Sequence, residues 1–207
     1  MSRLSRLAVI ASLILASCSP GGSATAEPPV QSGPDSGRRE VALFAGGCFW
    51  SVEANFERIP GVVSAVSGFA GGRVANPTYD EVVRGGTGHL EAVQVTFDPA
   101  RITYRQLVDR FWRTIDPTDP DGQFCDQGAV YATAVFATAA QRQVAEASRA
   151  AAAAIIGERR FVTPVRDAAR FWPAEAYHQD FARLNPVRYG GYSRFCGREA
   201  RLRVVWG

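Results

Sequence analysis

At 207 residues, 46% hydrophobic and 21% charged, the chain is long enough for one domain with a sizeable core plus extra sequence, in the composition of a soluble globular protein. Its formal charge of +3 falls to +1 when Arg3 and Arg6, in a segment expected to be removed, are left out. A balance so small and so little clustered argues against nucleic acid or an anionic surface as partner, and no internal repeat of about 20 to 50 residues suggests a solenoid or propeller.

The amino terminus reads as a targeting segment. Arg3 and Arg6 form a basic start, and Leu7 to Ala16 is an apolar run of ten residues, too short to span a bilayer and of the length of a signal-peptide apolar region. It leads into Leu15-Ala16-Ser17-Cys18, which resembles the lipobox of bacterial lipoproteins, where the cysteine is diacylated and becomes the first residue. The competing reading is an ordinary signal peptide cut after Ala24-Thr25-Ala26, and both readings require export. Residues 1–17 are therefore expected to be a lipoprotein signal peptide. Residues 18–39, rich in Gly, Pro, Ser and Ala, should be a lipid-anchored flexible linker. Residues 40–207 form the expected domain. The expected location is a periplasm-facing membrane lipoprotein, touching the membrane only through its lipid, or otherwise a soluble periplasmic protein.

Within the domain, Val41 to Ala45 is a short apolar run that stops at Gly46-Gly47 and reads as a buried strand. A helix should follow, with Phe49, Val52, Phe56 and Ile59 near one face and Pro60-Gly61 as its stop. Val62 to Phe69 reads as a strand and Gly71-Gly72 as a turn, and Leu90 to Phe97 alternates as a strand does. Thr103 to Ile115 is helical in pattern, with Thr103 and Gln106 spaced for a capping box. Val130 to Ala137 is strand-like, Ala139 to Ile156 is an Ala-rich helix, and Pro173 to Leu184 should be a short helix closed by Asn185-Pro186. Strands and helices are intermixed, so the class is α/β or α+β, a single two-layer domain with a mixed sheet covered by helices. Pattern alone leaves the strand order open.

Gly46-Gly47-Cys48-Phe49-Trp50 is the most informative stretch. It places a thiol where a strand turns into a helix, where backbone N–H groups and the helix dipole lower a thiol pKa. The glycines permit a sharp turn and close approach of a substrate, and Phe49 and Trp50 offer an apolar wall. The ordinary reading of a single cysteine, a small buried hydrophobe, is weakened by this setting. Gly88-His89-Leu90-Glu91 opens a strand that would set Glu91 between apolar neighbours, where a carboxyl stays protonated near neutral pH. An exposed strand carboxylate is the alternative. Tyr79 in Asn76-Pro77-Thr78-Tyr79 and Tyr131 in Asp126-Gln127-Gly128-Ala129-Val130-Tyr131 are loop tyrosines, able to hydrogen-bond a polar oxygen or simply to pack. His178, in Tyr177-His178-Gln179-Asp180, reads as structural.

These motifs together resemble the methionine sulfoxide reductase A family. The likeness rests on Gly-Cys-Phe-Trp at 47–50, Asn-Pro-Thr-Tyr at 76–79, Gly-His-x-Glu at 88–91, Asp-x-Gly-x-x-Tyr at 126–131 and Tyr-His-Gln at 177–179, in that order over residues 41 to 207. It implies a ferredoxin-like core with an irregular carboxyl-terminal segment. It also implies reduction of the S epimer of methionine sulfoxide, free or protein-bound, with repair of oxidised exported proteins as the role. Cys48 then corresponds to the nucleophile and Glu91 to the acid that protonates the sulfoxide oxygen. Tyr79 and Tyr131 correspond to hydroxyls holding that oxygen, Asp126 to a polar pocket group, and Phe49 and Trp50 to the walls receiving the methyl group. The products are methionine and a Cys48 sulfenic acid, which another thiol must reduce.

No step calls for a metal or an organic cofactor, and Cys48, Cys125 and Cys196 lack the paired spacing of a zinc site. The resemblance implies an external thiol reductant such as a thioredoxin-like protein. With Cys18 reserved for lipid, Cys196 in its Gly-rich carboxyl segment is the favoured resolving thiol and Cys125 the second, and a structural Cys125–Cys196 disulfide is a further possibility in an oxidising compartment. The chain departs from the family pattern at Ser51, where many relatives have Gly or Cys, and at Val130-Tyr131-Ala132 in place of Gln-Tyr-Arg. It departs again at Phe195-Cys196-Gly197-Arg198-Glu199, where many read Ser-Gly-Arg-Asp. Two rival classes are a Cys–His hydrolase with His178 as base and a non-enzymatic lipoprotein. No hydrolase signature surrounds Cys48, and retention of both Cys48 and Glu91 speaks against the second.

Overall fold

The computed structural model describes residues 37–207; the expected signal peptide, Cys18 and all but the last three residues of the expected linker lie outside the described residues. Strand β1 (Glu40–Gly46) alternates as a two-sided buried strand should, with Ala42 and Phe44 in one apolar cluster and Leu43 and Ala45 in another. Helix α1 (Phe49–Glu57), strand β2 (Val62–Ala70), short helix α2 (Tyr79–Arg84), strand β3 (Leu90–Phe97) and helix α3 (Tyr104–Trp112) follow. A two-stranded hairpin, β4 (Gly122–Gln123) and β5 (Asp126–Gln127), leads to β6 (Thr133–Ala137) and helix α4 (Ala139–Ile156). Strands β7 (Val165–Asp167) and β8 (Phe171–Pro173), then helices α5 (Phe181–Leu184), α6 (Pro186–Phe195) and α7 (Arg198–Trp206), complete the chain.

The main sheet runs β7-β6-β1-β3-β2-β8. Its central four strands are antiparallel in the order β6-β1-β3-β2, the split βαβ arrangement of a ferredoxin-like core. β7 joins parallel to β6 and makes the sheet mixed. Helices α1, α3 and α4 cover one face. Phe44 from β1 stacks on Phe56 of α1 (ring centroids 4.7 Å) and meets Phe111 of α3 at 4.9 Å. Each such ring contributes about 1.5–3 kcal/mol by leaving water, so the turn joining β1 to α1 stands on a buried aromatic cluster. The expected threonine cap forms: the Thr103 hydroxyl accepts from Gln106 N–H while Gln106 reaches back to Thr103 N–H. Thr138 with Gln141 makes the same box for α4, a cap beyond the sequence expectation.

Three elements differ from the sequence expectation, each because a side chain or a special backbone angle replaces regular bonding. Tyr79 is not a loop residue: it is the first residue of α2, capped by Thr78 in a box with Glu81. Val130 and Tyr131 belong to a short 3₁₀ turn, Ala129–Tyr131, begun at Gly128 (φ 115°), and β6 starts only at Thr133. The single helix expected over Pro173 to Leu184 is broken into a 3₁₀ turn (Ala176–His178) and α5, with Asp180 left-handed (φ 54°) between them. Gln179 explains the break, because its amide accepts from Ser67 N–H (2.9 Å) and donates to Ser67 O (2.9 Å) and Ala174 O (3.0 Å). It pairs with β2 like one more strand residue. The carboxyl segment, expected to be irregular, is largely helical as α6 and α7.

Candidate active site

The carboxyl end of β1 and the amino ends of β3 and β6 meet at one corner of the sheet. The register Phe44↔Val93 brings Glu91 level with the β1–α1 turn, and Gly46↔Thr133 brings the Tyr131 turn to the same level. Gly47 makes the turn possible. Its φ is +78°, and a Cβ there would lie 2.5 Å from Gln123 Cβ. Gln123 is itself fixed, accepting from Asp116 N–H at 2.8 Å and donating to Asp116 O at 2.7 Å.

Cys48 follows at the N-cap position of α1, 6% exposed, and is the free cysteine among the described residues. Its carbonyl accepts from Ser51 and Val52 N–H at 3.1 and 3.4 Å. The next backbone donor, Phe49 N–H, is given at 2.8 Å to Glu91, which is 2% exposed. Burial above all, and then the nearby Asp126 charge, push the Glu91 carboxyl up to about 8, against the bond from Phe49 N–H. The expectation of a carboxyl held protonated near neutrality therefore agrees with the geometry.

The thiol does not behave as the turn alone suggested. Burial first, then the charges of Glu91 and Asp126, push Cys48 up to about 12, while the Tyr192 hydroxyl and Trp50 N–H pull it down. The helix end does supply a donor, but Phe49 N–H is spent on Glu91, and dehydration outweighs what remains. Cys48 and Glu91 compete for one negative charge. With Glu91 protonated its repulsion of a thiolate disappears, and burial is the main barrier left.

The remaining sequence-predicted groups gather around this pair. Tyr79 is pushed up to about 12, by burial first and then by Glu91 and Cys48, and it hydrogen-bonds Tyr131. Tyr131 is raised by burial first and then by Glu91, with Tyr79, Asp126 and Cys48 adding to it, so the two phenols share the surroundings of the thiol and the acid. Asp126 is raised by burial and accepts a short hydrogen bond from Tyr192. Phe49 is buried against Phe69 (5.9 Å) and Tyr79 (6.2 Å), and Trp50 stacks on Phe181 at 3.7 Å. His178 Nδ1 accepts from Trp50 Nε1 at 3.2 Å, and its ring lies 4.3 Å from Tyr79. Its bonded nitrogen thus orients Trp50 rather than serving Cys48, as the structural reading of this histidine holds and as a Cys–His hydrolase would not. His89 pins the 72–74 loop to β3, accepting from Gly72 N–H (3.1 Å) and meeting Val74 O (2.8 Å).

Cys125, at the tip of the β4–β5 hairpin, is joined by a disulfide to Cys196 at the end of α6 (Cα–Cα 4.9 Å). Cys125 is exposed, Cys196 half-buried. Among the described residues no group of three His, Cys, Asp or Glu is placed to hold a metal ion.

The model of the family described as peptide methionine sulfoxide reductase matches residues 40–207. The chain belongs to this family. It is 52% identical over 169 residues to "Peptide methionine sulfoxide reductase MsrA 2" of Rhizobium meliloti, covering 81% of this chain and 84% of that protein. It is 48% identical to the protein of the same name from Caulobacter vibrioides, covering 82% and 87%. Among solved structures it is similar to methionine sulfoxide reductase A of Corynebacterium diphtheriae, with TM-score 0.64 and 31% identity over 75% of this chain and 78% of that one. It is also similar to Mxr1 of Saccharomyces cerevisiae in reduced form, with TM-score 0.66 and 29% identity over 74% and 89%.

Within the reductase family pattern, Ser51 has a partner here: it is fully buried, and its hydroxyl accepts from Tyr189 of α6 at 3.2 Å. Sequence reasoning missed two residues of this corner. In the sequence Gln179 stands out only as part of the Tyr-His-Gln motif, with no role of its own, because its strand-like pairing is made across 112 residues. Tyr192 had one: it stands four residues, one helical turn, before Cys196, a relation that counts only once α6 is known to be a helix.

Proposed function

We propose that this protein reduces the S epimer of methionine sulfoxide, free or within oxidised proteins, with Cys48 as nucleophile and Glu91 as acid. The observation that carries the reading is the pairing of a free buried thiol with a fully buried carboxyl whose pKa is pushed up to about 8, the carboxyl accepting from the N–H of Phe49, the residue that follows the thiol. The names of the relatives support it. The Cys48 thiolate attacks the sulfoxide sulfur while Glu91 delivers its proton to the departing oxygen. Tyr79 and Tyr131 hold that oxygen, Asp126 lines the polar side, and Phe49 and Trp50 receive the methyl group. Methionine leaves, and Cys48 retains the oxygen as a sulfenic acid. The decisive measurement is dithiothreitol-dependent reduction of the two separated epimers. Turnover of the S epimer alone is expected, and inactivity towards both would end the proposal.

Regeneration begins with the Cys196 thiol attacking the Cys48 sulfenic acid, which gives a Cys48–Cys196 disulfide and water. Cys125 then attacks the Cys196 sulfur and releases the Cys48 thiolate, leaving the Cys125–Cys196 bond present in the structure. The exposure of Cys125 beside the burial of Cys48 supports this order, since an external dithiol of the thioredoxin kind reaches only the second bond. In a Cys125→Ser variant the relay should stop at Cys48–Cys196 after one turnover without reductant, as read by peptide mapping. A persistent sulfenic acid, or a Cys48–Cys125 bond in the parent protein, would exclude Cys196 as first resolver.

The same proposal places the enzyme outside the cytoplasm as a lipoprotein repairing oxidised exported proteins. Cys18→Ala is expected to block lipidation and shift the protein from the membrane to the soluble fraction with turnover unchanged. A mature amino terminus at Glu27 would instead establish an ordinary signal peptide.

A further inference from the structure

Helix α6 lies over the candidate site with no fully buried residue of its own. Its neighbours are better fixed. α5 is held by the Phe181–Trp50 stack, and α7 by the Arg201–Asp116 ion pair (2.6 Å), Arg198 to Thr114 O (3.0 Å) and Trp206 to Ile115 O (3.0 Å). Between them α6 is tied down by the Tyr189–Ser51 bond, the Tyr192–Asp126 bond and the Cys125–Cys196 disulfide. The last two act on one spot. Cys125 directly precedes Asp126, and Cys196 N–H donates to Tyr192 O at 3.0 Å, one turn away. The disulfide therefore staples together the two segments that the Tyr192–Asp126 bond joins.

Tyr192 itself touches three parts of the site. Its hydroxyl donates to Asp126 and interacts with the Cys48 sulfur, and its ring stands edge-on to Trp50 at 6.3 Å. A sulfur about to be attacked must come within about 3–3.5 Å of the thiol. A phenol bonded to Asp126, edge-on to Trp50 and interacting with Cys48 stands among the groups that line that place.

We propose that Tyr192 is a further positioning residue of the site, a phenol that fills the sulfoxide position over Cys48 and is locked there by the Cys125–Cys196 disulfide. The inference rests on the reading of this corner as the reacting centre. Reduction by an external dithiol gives one hydrogen to each of Cys125 and Cys196, and the donor's two sulfurs become joined, so two electrons pass to the protein. α6 then keeps two tyrosine hydrogen bonds, individually weak against water, with the edge of Tyr192 on Trp50 and Arg188 over the Phe181 ring. It can swing about Asn185 and the left-handed Gly197 (φ 60°) to clear the pocket. The cycle acquires an order: the disulfide that ends one turnover closes the site, and the donor that removes it admits the next substrate.

The test reads Cys48 accessibility, which does not depend on the substrate. Iodoacetamide labelling of the mature protein, mapped to the Cys48 peptide, should be slow in the disulfide form. It should be at least about tenfold faster in Cys125→Ser/Cys196→Ser, the scale of losing one hydrogen bond to a charged group. Tyr192→Ala should open the disulfide form to a similar degree, and Tyr192→Phe, which keeps the ring, should restore protection. Equal labelling of the disulfide form and the double serine variant would overturn the proposal, as would full protection in Tyr192→Ala. Gated labelling without any turnover of methionine sulfoxide in the reduced protein would support the gate and overturn the substrate reading instead.

Discussion

Cys48→Ser is expected to abolish reduction of methionine sulfoxide, by a factor on the order of 10⁶, the scale of deleting a nucleophile from a catalytic unit. The variant should fold. Serine is nearly isosteric, and the turn is held by groups the substitution leaves untouched: the Cys48 carbonyl, the Gly47 backbone against Gln123, and the Phe44–Phe56–Phe111 stack beneath. A thiol pushed up to about 12 still reaches its anion far more readily than an alcohol, and sulfur attacks sulfur where oxygen does not. The check is dithiothreitol-dependent turnover alongside the thermal midpoint and near-ultraviolet circular dichroism. A folded serine variant that retained activity would exclude Cys48 as the nucleophile.

Glu91→Gln is expected to leave KM nearly unchanged and to lower kcat by about 10² to 10⁴, the usual worth of a positioned general acid. The pH dependence follows from two groups of opposite requirement: a thiolate near about 12 and a protonated carboxyl near about 8. Below pH 8 the parent rate should climb with pH as thiolate accumulates. Above it, loss of the Glu91 proton cancels that gain and the rate should level. The glutamine variant has no proton to lose and should keep climbing, so the gap between the two narrows above pH 8. Equal rates in variant and parent from about pH 6 to 9 would mean that another group is the acid.

The same carboxyl makes a stability claim with a definite sign. Unfolded, Glu91 loses its proton near about 4.3; folded, it holds it to about 8. As pH rises between these values the unfolded state sheds its proton first, so the stability from this group, fully present below 4.3, is lost by 8. Glu91→Gln should therefore flatten the fall of the thermal midpoint over that range.

Much of this could be read from the chain before any coordinates. Leu90 to Phe97 and Ala139 to Ile156 coincide with β3 and α4, because their apolar periodicity and caps are local properties. Tyr79 and Tyr131 were misplaced in secondary structure for local reasons, and the 173–184 segment for a non-local one. Thr78 and Glu81 close a cap that was not read, Gly128 adds a 3₁₀ turn, and Gln179 finds its bonds across the fold.

The sequence by itself determined the alternation that builds the central strands and, through the short motifs it shares with the reductase family, singled out Cys48, Glu91, Tyr79 and Tyr131 as the candidate residues, since periodicity and short motifs are local properties. Only the tertiary structure decided how they act on one another. Spacing cannot show that Phe49 N–H goes to Glu91 rather than to a thiolate, so it could not show that Cys48 is raised rather than lowered. Nor could it show that Cys125 and Cys196, 71 residues apart, meet in one bond beside the contact of Tyr192 with Asp126. Protonation and access depend on which groups share a small dry volume, and that volume exists only after β1, β3, β6 and α6 have come together.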